Sequence, residues 1–441
     1  MTASFNRRTI IAGGLAATAA NLAPLSEVFA KRRRVSANDK IQVGLIGCKG
    51  MGWADLTAMA KVADVEPVAL CDVDANVLDE RSVELQAASG KAPRQYDDYR
   101  RMLDDKAIDA VIIATPDHWH ALALTDAMSA GKDAYCEKPL GNSIAECRAM
   151  VAAKQRHKRV VQVGQWQRSN QHWADAIAHV QSGAIGRVRK VKAWAYMGWM
   201  KNVPPKPDQP APAGVNYDRW LGPAPLRPFN PNRFHFSWRW YWDYAGGLMT
   251  DWGVHLMDIA LLGMKAQAPL SVSALGGAYG YAESAMETPD TQTAIFDFGN
   301  FSIEWEHAVG ISHGPYGGRD HGVAFIGETG TLVVDRGQWL VSPEVIDGKA
   351  LTTEIPVTPV TDNGVERHTA NFIACLKDRS LKPACPIESA ANTATVCQMG
   401  NIAWRTGRKV HWDAAAGQFK GDTGANALIT PRYRAPYVLP V

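Results

Sequence analysis

The first third of the chain alternates short, nearly continuous apolar runs with longer stretches of mixed pattern. Residues 41–47 (IQVGLIG), 65–71 (VEPVALC), 109–114 (DAVIIA) and 134–136 (AYC) have few polar positions, as strands covered on both faces do. Between them lie Ala/Leu-rich segments of helical character. One runs from the glycines at 50 and 52 to Val62, one begins at Tyr96-Asp97-Asp98-Tyr99-Arg100, one ends at Ala130, and one covers 143–157. A last strand at 159–163 completes a β-α-β alternation. That alternation predicts an α/β fold with a doubly wound parallel sheet ending near residue 163.

The texture then changes. Residues 164–245 are rich in aromatics and carry the proline-rich stretch 203–210, and residues 194–252 hold seven of the fifteen tryptophans. A helix opens after Gly246-Gly247, with Leu256, Ile259, Ala260 and Leu262 on its buried side. Residues 268–355 alternate apolar and polar in short segments such as 291–298 and 301–305, and Gly299-Asn300 between them is a hairpin signal. The expectation is a second α/β domain, 164–412, around an open antiparallel sheet. Helices at 365–378 and 388–406 close it, and 413–441 reads as a loose wrapping tail. No internal repeat is present.

Composition adds little to this and the N-terminus adds more. The chain has 441 residues, 46% of them hydrophobic, which calls for more than one core. Its net charge of +3 carries no long basic tract outside the N-terminal region, so neither nucleic acid nor a membrane surface is an expected partner. Arg7-Arg8 precedes an Ala/Gly-rich apolar run from Ile10 to Ala23, too short to span a bilayer, and Ala30 offers a small residue for cleavage. Residues 1–30 therefore read as a twin-arginine export signal directing the protein to the periplasm, with the first domain spanning 31–163. The seven cysteines are scattered without a C-x-x-C pair, and Cys48, Cys71 and Cys136 read as small core residues. No zinc-ligand spacing appears, so no metal is expected.

The chemistry-bearing residues gather at the predicted strand ends, where open α/β sheets bind ligands. The turn Gly47-Cys48-Lys49-Gly50-Met51-Gly52 links a strand to a helix, as the dinucleotide fingerprint G-x-G-x-x-G does, although Lys49 stands where the second glycine belongs. Asp72 ends the second strand 20 residues after Gly52, where an acid binds a ribose 2′-hydroxyl and repels a 2′-phosphate. That favours NAD over NADP. Thr115-Pro116-Asp117-His118-Trp119-His120 follows the next apolar strand, and Glu137-Lys138-Pro139 the one after it, aiming the Lys138 ammonium into the cleft. Asp251 and His255 are four apart on one predicted helix, where a carboxylate can orient an imidazole and tune it. The aromatic run 234–244, set among Arg, Asp and His, suits a sugar or polyol ring with apolar faces and hydroxyl edges.

Together the Gly47–Gly52 turn, Thr115-Pro116, Glu137-Lys138-Pro139, Gly246-Gly247 with Asp251-x-x-x-His255, Asn401-Ile402-Ala403 and Gly407-Arg408 make residues 40–412 resemble the Gfo/Idh/MocA oxidoreductases. The resemblance implies a Rossmann domain followed by an α/β domain with an open antiparallel sheet. It implies NAD(P) held by Gly47, Cys48, Lys49, Met51, Gly52, Asp72, Thr115, Pro116, His118, His120, Glu137 and Lys138. Lys138, Asp251 and His255 match the family's catalytic lysine, aspartate and histidine, and Lys138-Pro139 resembles a site where the family often holds a cis peptide. Trp166, Arg168 and Trp240 join Asp251 and His255 as expected substrate contacts. The implied activity is hydride transfer between a ring carbinol of a sugar, glycoside or polyol and the nicotinamide. His255 is then the base, Asp251 orients it, and Lys138 polarises the substrate oxygen. The family also contains NAD-dependent glycosidases, so a redox-assisted glycosidase or eliminating enzyme with a recycled cofactor is the alternative. A tightly bound NAD suits an exported protein, the partner is a small carbohydrate, and the assembly is expected to be a homo-oligomer.

Overall fold

The apolar runs of the first third become the central strands of a parallel sheet. The protein is described from a computed structural model covering residues 40–440, so Arg7-Arg8, the apolar run after them and the basic stretch 31–34 lie outside the described residues. Strands β1 (Ile41–Ile46), β2 (Val65–Cys71), β3 (Arg94–Tyr96), β4 (Ala110–Ile113), β5 (Asp133–Cys136) and β6 (Val161–Val163) stand in the order β3-β2-β1-β4-β5-β6. Every pairing is parallel. The strand order reverses between β1 and β4, and a ligand crevice opens beyond the carboxyl ends of those two strands.

Helices α1 (Gly50–Met59), α2 (Ala75–Ser89), α3 (Tyr99–Asp104), α4 (His120–Ser129) and α5 (Ile144–His157) connect the strands. The expected helix start at Tyr96 is corrected. Residues 94–96 form the edge strand β3, and Asp98 caps α3 by accepting a hydrogen bond from the Arg100 N–H. A short polar side chain at the N-cap satisfies a donor that the helix itself cannot.

After α6 (Gln171–Gln181) the chain builds a second sheet. It comprises β7 (Val188–Met197), β8 (Ser271–Gly277), β9 (Thr291–Asp297), β10 (Ser302–Val309), β11 (His321–Gly327), β12 (Gly330–Val334) and β13 (Gln338–Pro343). A small hairpin, β14 (Val345–Ile346) with β15 (Lys349–Ala350), precedes β16 (Ile355–Pro359), β17 (Val410–Asp413) and β18 (Gln418–Phe419). The ten-stranded order is β16-β13-β12-β11-β7-β10-β9-β8-β17-β18. Gly299, at φ 86°, turns the β9–β10 hairpin. The sheet is mixed rather than wholly antiparallel, because β7 and β10 pair in parallel. More than a hundred residues separate those two strands, enough for the crossover that parallel neighbours require.

The helix expected after Gly246-Gly247 comes in two pieces, α7 (Gly247–Asp251) and α8 (Gly253–Met264), with Trp252 between them. α8 packs its apolar side on the second sheet. The two last long helices, α9 (Gly364–Lys377) and α10 (Ile387–Thr406), return to the first lobe. Phe372 and Ile373 join the core of β1 and β2, and Ile387, Ala390 and Ala394 join the cluster over β4 and β5. The last residues are fastened rather than loose. The Tyr433 hydroxyl bonds Glu146 at 2.6 Å, and Tyr437 packs edge-on against Trp119. All seven cysteines are buried free thiols. Among the described residues no helix is long and apolar enough to cross a membrane.

Candidate functional site

A cleft of about 400 Å³ runs from the β1–α1 turn to Lys138 and Asp251. The glycines of the turn are dictated by space. Gly47 has φ 89°, and a Cβ there would stand 2.6 Å from the Ala114 carbonyl oxygen, while one at Gly52 would stand 2.3 Å from Gly47 O. At Gly50 a Cβ would meet nothing within 4 Å, so the turn is open on its cleft side. Lys49 makes no side-chain cap on α1, and the first N–H groups of a helix lack intrahelical partners and favour anions. Asp72 lines the cleft, and its carboxylate accepts from the Cys48 N–H at 2.8 Å and the Asp74 N–H at 3.0 Å. Thr115, also in the wall, has a buried hydroxyl without a partner.

The chemistry sits at the far end. Lys138, preceding a cis Pro139, reaches across from β5 to α7. Its Nζ is 2.6 Å from Asp251 Oδ1 and 3.3 Å from the Asp251 carbonyl. Arg239 Nε lies 3.5 Å from the other carboxylate oxygen. Burial alone would raise the Asp251 carboxyl, but Arg239, Lys138 and Arg336 outweigh it and hold it at about 2. His255 stands beside this group with its ring between Trp166 and Trp252, centroids 6.3 and 6.2 Å away. Its Nδ1 is buried without a partner. Burial, then Lys138, Arg336 and His321, push the imidazole well below its ordinary value, which favours its neutral form. The expected Asp251–His255 pair does not form, because Lys138 and Arg239, on other elements, take the carboxylate and the helix is interrupted at Trp252. Asp251 orients Lys138 instead.

Behind Lys138 lies a pair of buried acids. Asp55 of α1 and Glu137 are both shut off from solvent and hydrogen-bond to each other. Burial pushes both carboxyls up, and two carboxyls in contact hold one proton between them. Glu137 is the member of the pair beside Lys138. Glu137 Oε2 also accepts from the Lys138 N–H at 3.2 Å. Gly164 makes room for this arrangement: a Cβ there would stand 2.1 Å from Glu137 Oε1.

Gly47, Lys49, Met51, Asp72, Thr115, Pro116, Glu137, Lys138 and Asp251 all line the cleft. Eight other expected residues do not, His255 and Trp166 among them. The Cys48 thiol turns inward to the Cys71 carbonyl, and Gly52 is buried beneath the turn. His118 bonds the Trp220 carbonyl, and burial brings its imidazole down to about 4. His120 ties the Thr115 and Pro139 carbonyls together, so it positions two cleft walls without facing the cleft. Arg168 is held at 2.6 and 2.7 Å by both oxygens of buried Asp258, and Trp240 is a core residue at 1% exposure. These are interior ties to protein groups, although the His118 Nδ1 is buried without a partner. Trp166 stays by the site, next to His255.

The same geometry has counterparts elsewhere. Residues 41–165 match an oxidoreductase-family profile described as an NAD-binding Rossmann fold. Residues 180–278 and 351–439 match the profile of an oxidoreductase-family C-terminal alpha/beta domain. The chain belongs to the Gfo/Idh/MocA oxidoreductase family. Inositol 2-dehydrogenase of Salmonella typhimurium is 29% identical over 238 residues, 53% of this chain and 66% of that enzyme. A glycosyl hydrolase family 109 protein of Stenotrophomonas maltophilia is 34% identical over 150 residues, 32% of each chain. Among solved structures, the aldose-aldose oxidoreductase from Caulobacter crescentus complexed with glycerol superposes with a TM-score of 0.64 at 19% identity. It covers 85% of this chain and 100% of that one. A levoglucosan dehydrogenase in complex with NADH and levoglucosan gives 0.63 at 19%, covering 84% and 99%. At such identities the two structures establish a shared fold.

This Gfo/Idh/MocA member places several residues at the site that sequence reasoning passed over. Phe236, Trp238 and Arg239 come from the aromatic run, whose composition marked it as a site without saying which members face the cleft. Tyr437 arrives from the tail. Asp55 had one usable signal, an acid in the apolar helix after a glycine turn. Arg336, on the β12–β13 turn, had none.

Proposed function

We propose that the protein is an NAD-dependent oxidoreductase acting on a ring carbinol of a sugar, glycoside or polyol. The observation that carries this reading is the Lys138–Asp251 ion pair, within electrostatic reach of His255, at one end of a cleft whose other end is a glycine turn at a helix N-terminus. That cleft fits a dinucleotide. The open side of Gly50, the unpartnered Thr115 hydroxyl and the α1 N-terminus suit its phosphates and ribose, and Asp72 suits a 2′-hydroxyl. NAD is favoured over NADP because the nearby Arg219 in the cleft wall is committed to Asp97 at 2.5 Å. Bound NAD supplies the hydride acceptor. Lys138, held by Asp251, donates to the substrate oxygen and stabilises its developing negative charge, a contribution of about 3 kcal/mol for one well-placed donor. His255 takes the hydroxyl proton on an imidazole nitrogen.

The test is rapid mixing of the NAD-loaded protein with free sugars, glucosides and inositols while NADH absorbance is followed. His255→Ala reducing NAD at the wild-type rate would remove His255 as the base. The similarity to a glycosyl hydrolase family 109 protein supports a second reading, glycoside cleavage through transient oxidation. Glycoside cleavage with no net NADH would select it. Export by the twin-arginine route, with NAD retained through it, completes the proposal, and mass spectrometry of small molecules released from the denatured protein tests the retention.

A further inference from the structure

Three cations, Lys138, Arg239 and Arg336, surround Asp251. Two of them have counter-charges close by. Lys138 and Arg239 share the Asp251 carboxylate, and the single charge of the Asp55–Glu137 pair lies behind Lys138. Arg336 is different. Its guanidinium is clamped between two indoles, with Cζ 4.8 Å from the Trp166 ring centroid and 4.3 Å from that of Trp252. Its Nε is buried without a hydrogen-bond partner, and among the described residues it forms no ion pair within 4 Å. The other nearby acid, Asp320, is half exposed and already holds His321 Nδ1 at 2.7 Å.

The turn that carries Arg336 is rigid. The Asp335 carboxylate accepts from the Gly337 and Gln338 N–H groups at 2.7 and 3.0 Å, and the Arg336 N–H points to His321 Nε2. Burial pulls the guanidinium down to about 10, the direction expected of a cation short of counter-charge. Leaving a cation desolvated and unpaired is costly, and aromatic faces offset only part of that cost. The two indoles that clamp it are the ones flanking His255, so Arg336 borders the reacting end of the site.

We propose that Arg336 is a substrate-recognition residue and that the preferred substrate is a sugar acid, a ring bearing one carboxylate. The carboxylate pairs with the Arg336 guanidinium, whose planar fork matches it. The carbinol of the same ring is thereby placed between Lys138 and His255. A guanidinium held between two indoles, with no ion-pair partner within 4 Å among the described residues, calls for an anionic group, which separates a sugar acid from a neutral inositol. This inference rests on the carbohydrate reading above and narrows its substrate class.

The experiment compares hexuronates with their neutral hexoses on the NAD-loaded protein, by NADH formation and separately by calorimetric binding. The expected result is a kcat/KM ratio favouring the hexuronate by about 10-fold to 100-fold, the range for one buried charge-assisted hydrogen bond. In Arg336→Gln that ratio collapses toward one, and in Arg336→Lys it is partly kept. Neutral sugars turned over as well as or better than hexuronates by the wild type would overturn the proposal and leave the oxidoreductase reading standing. That comparison needs no variant, so a poorly folding Arg336→Gln does not blunt it. Calorimetric hexuronate binding that depends on Arg336, without any NADH, would support the subsite and remove the redox reading instead.

Discussion

Replacing Asp251 by asparagine isolates the electrostatics of the site. The side chain keeps its shape and loses the charge that three cations face. Lys138, with 13% of its side chain exposed, then keeps only neutral acceptors, the new amide oxygen and the backbone carbonyl of residue 251 at 3.3 Å. Removing one partner of a buried ion pair costs about 3–5 kcal/mol, and the remaining carbonyl contact puts this case near 3. The pH dependence is more diagnostic. A carboxyl held at about 2 instead of 3.8 contributes about 2 kcal/mol of stability, present above the unfolded value and lost as pH falls through the folded one. By pH 3 roughly half of it is gone. The stability difference between wild type and Asp251→Asn should therefore shrink by about 1 kcal/mol between pH 6 and pH 3. Urea unfolding at a series of pH values reads this directly. Turnover at pH 7 should fall about 100-fold, because Lys138 is no longer held in place. A stability difference that is flat from pH 6 to pH 3 would refute the claim that the cations dominate burial at Asp251.

Gly164→Ala would drive a methyl into Glu137, and it should lower both thermal stability, by about 1–3 kcal/mol, and turnover. Phe372→Ala removes a fully buried ring that ties α9 to β1 and β2; a loss of about 3–5 kcal/mol by denaturant titration is expected, and a neutral result would mean the late helices do not stabilise the first lobe. Asp72→Ser should relax the preference for NAD in titrations of both cofactors into the apo-protein, and tighter NADP binding by the wild type would sink the assignment. Arg7→Lys with Arg8→Lys should leave the protein in the cytoplasm on fractionation, and unchanged periplasmic protein would remove the export proposal.

What the chain shows by itself is whatever depends on neighbouring residues. The apolar runs at 41–47 and 109–114 could only be covered strands, and the Gly47–Gly52 turn between strand and helix is local geometry. Lys138 was visible because a strand end delivers whatever follows it into the crevice, and Gly299-Asn300 marked its hairpin for the same local reason. Packing decided the rest. Asp251 and His255 sit four apart on the predicted helix, yet charges from β5, the aromatic run and the β12–β13 turn chose Lys138 as the aspartate's partner. Arg168, His118 and His120 carry chemistry-bearing side chains, and only the folded chain showed that Asp258 and backbone carbonyls had already claimed them. The tail and the last two helices fasten onto the first lobe through Tyr433, Phe372 and Ile387. Periodicity records which face of an element is buried and carries no information about which distant element will cover it. An arginine 198 positions after Lys138 can share its site, because a strand end and a turn meet there in space.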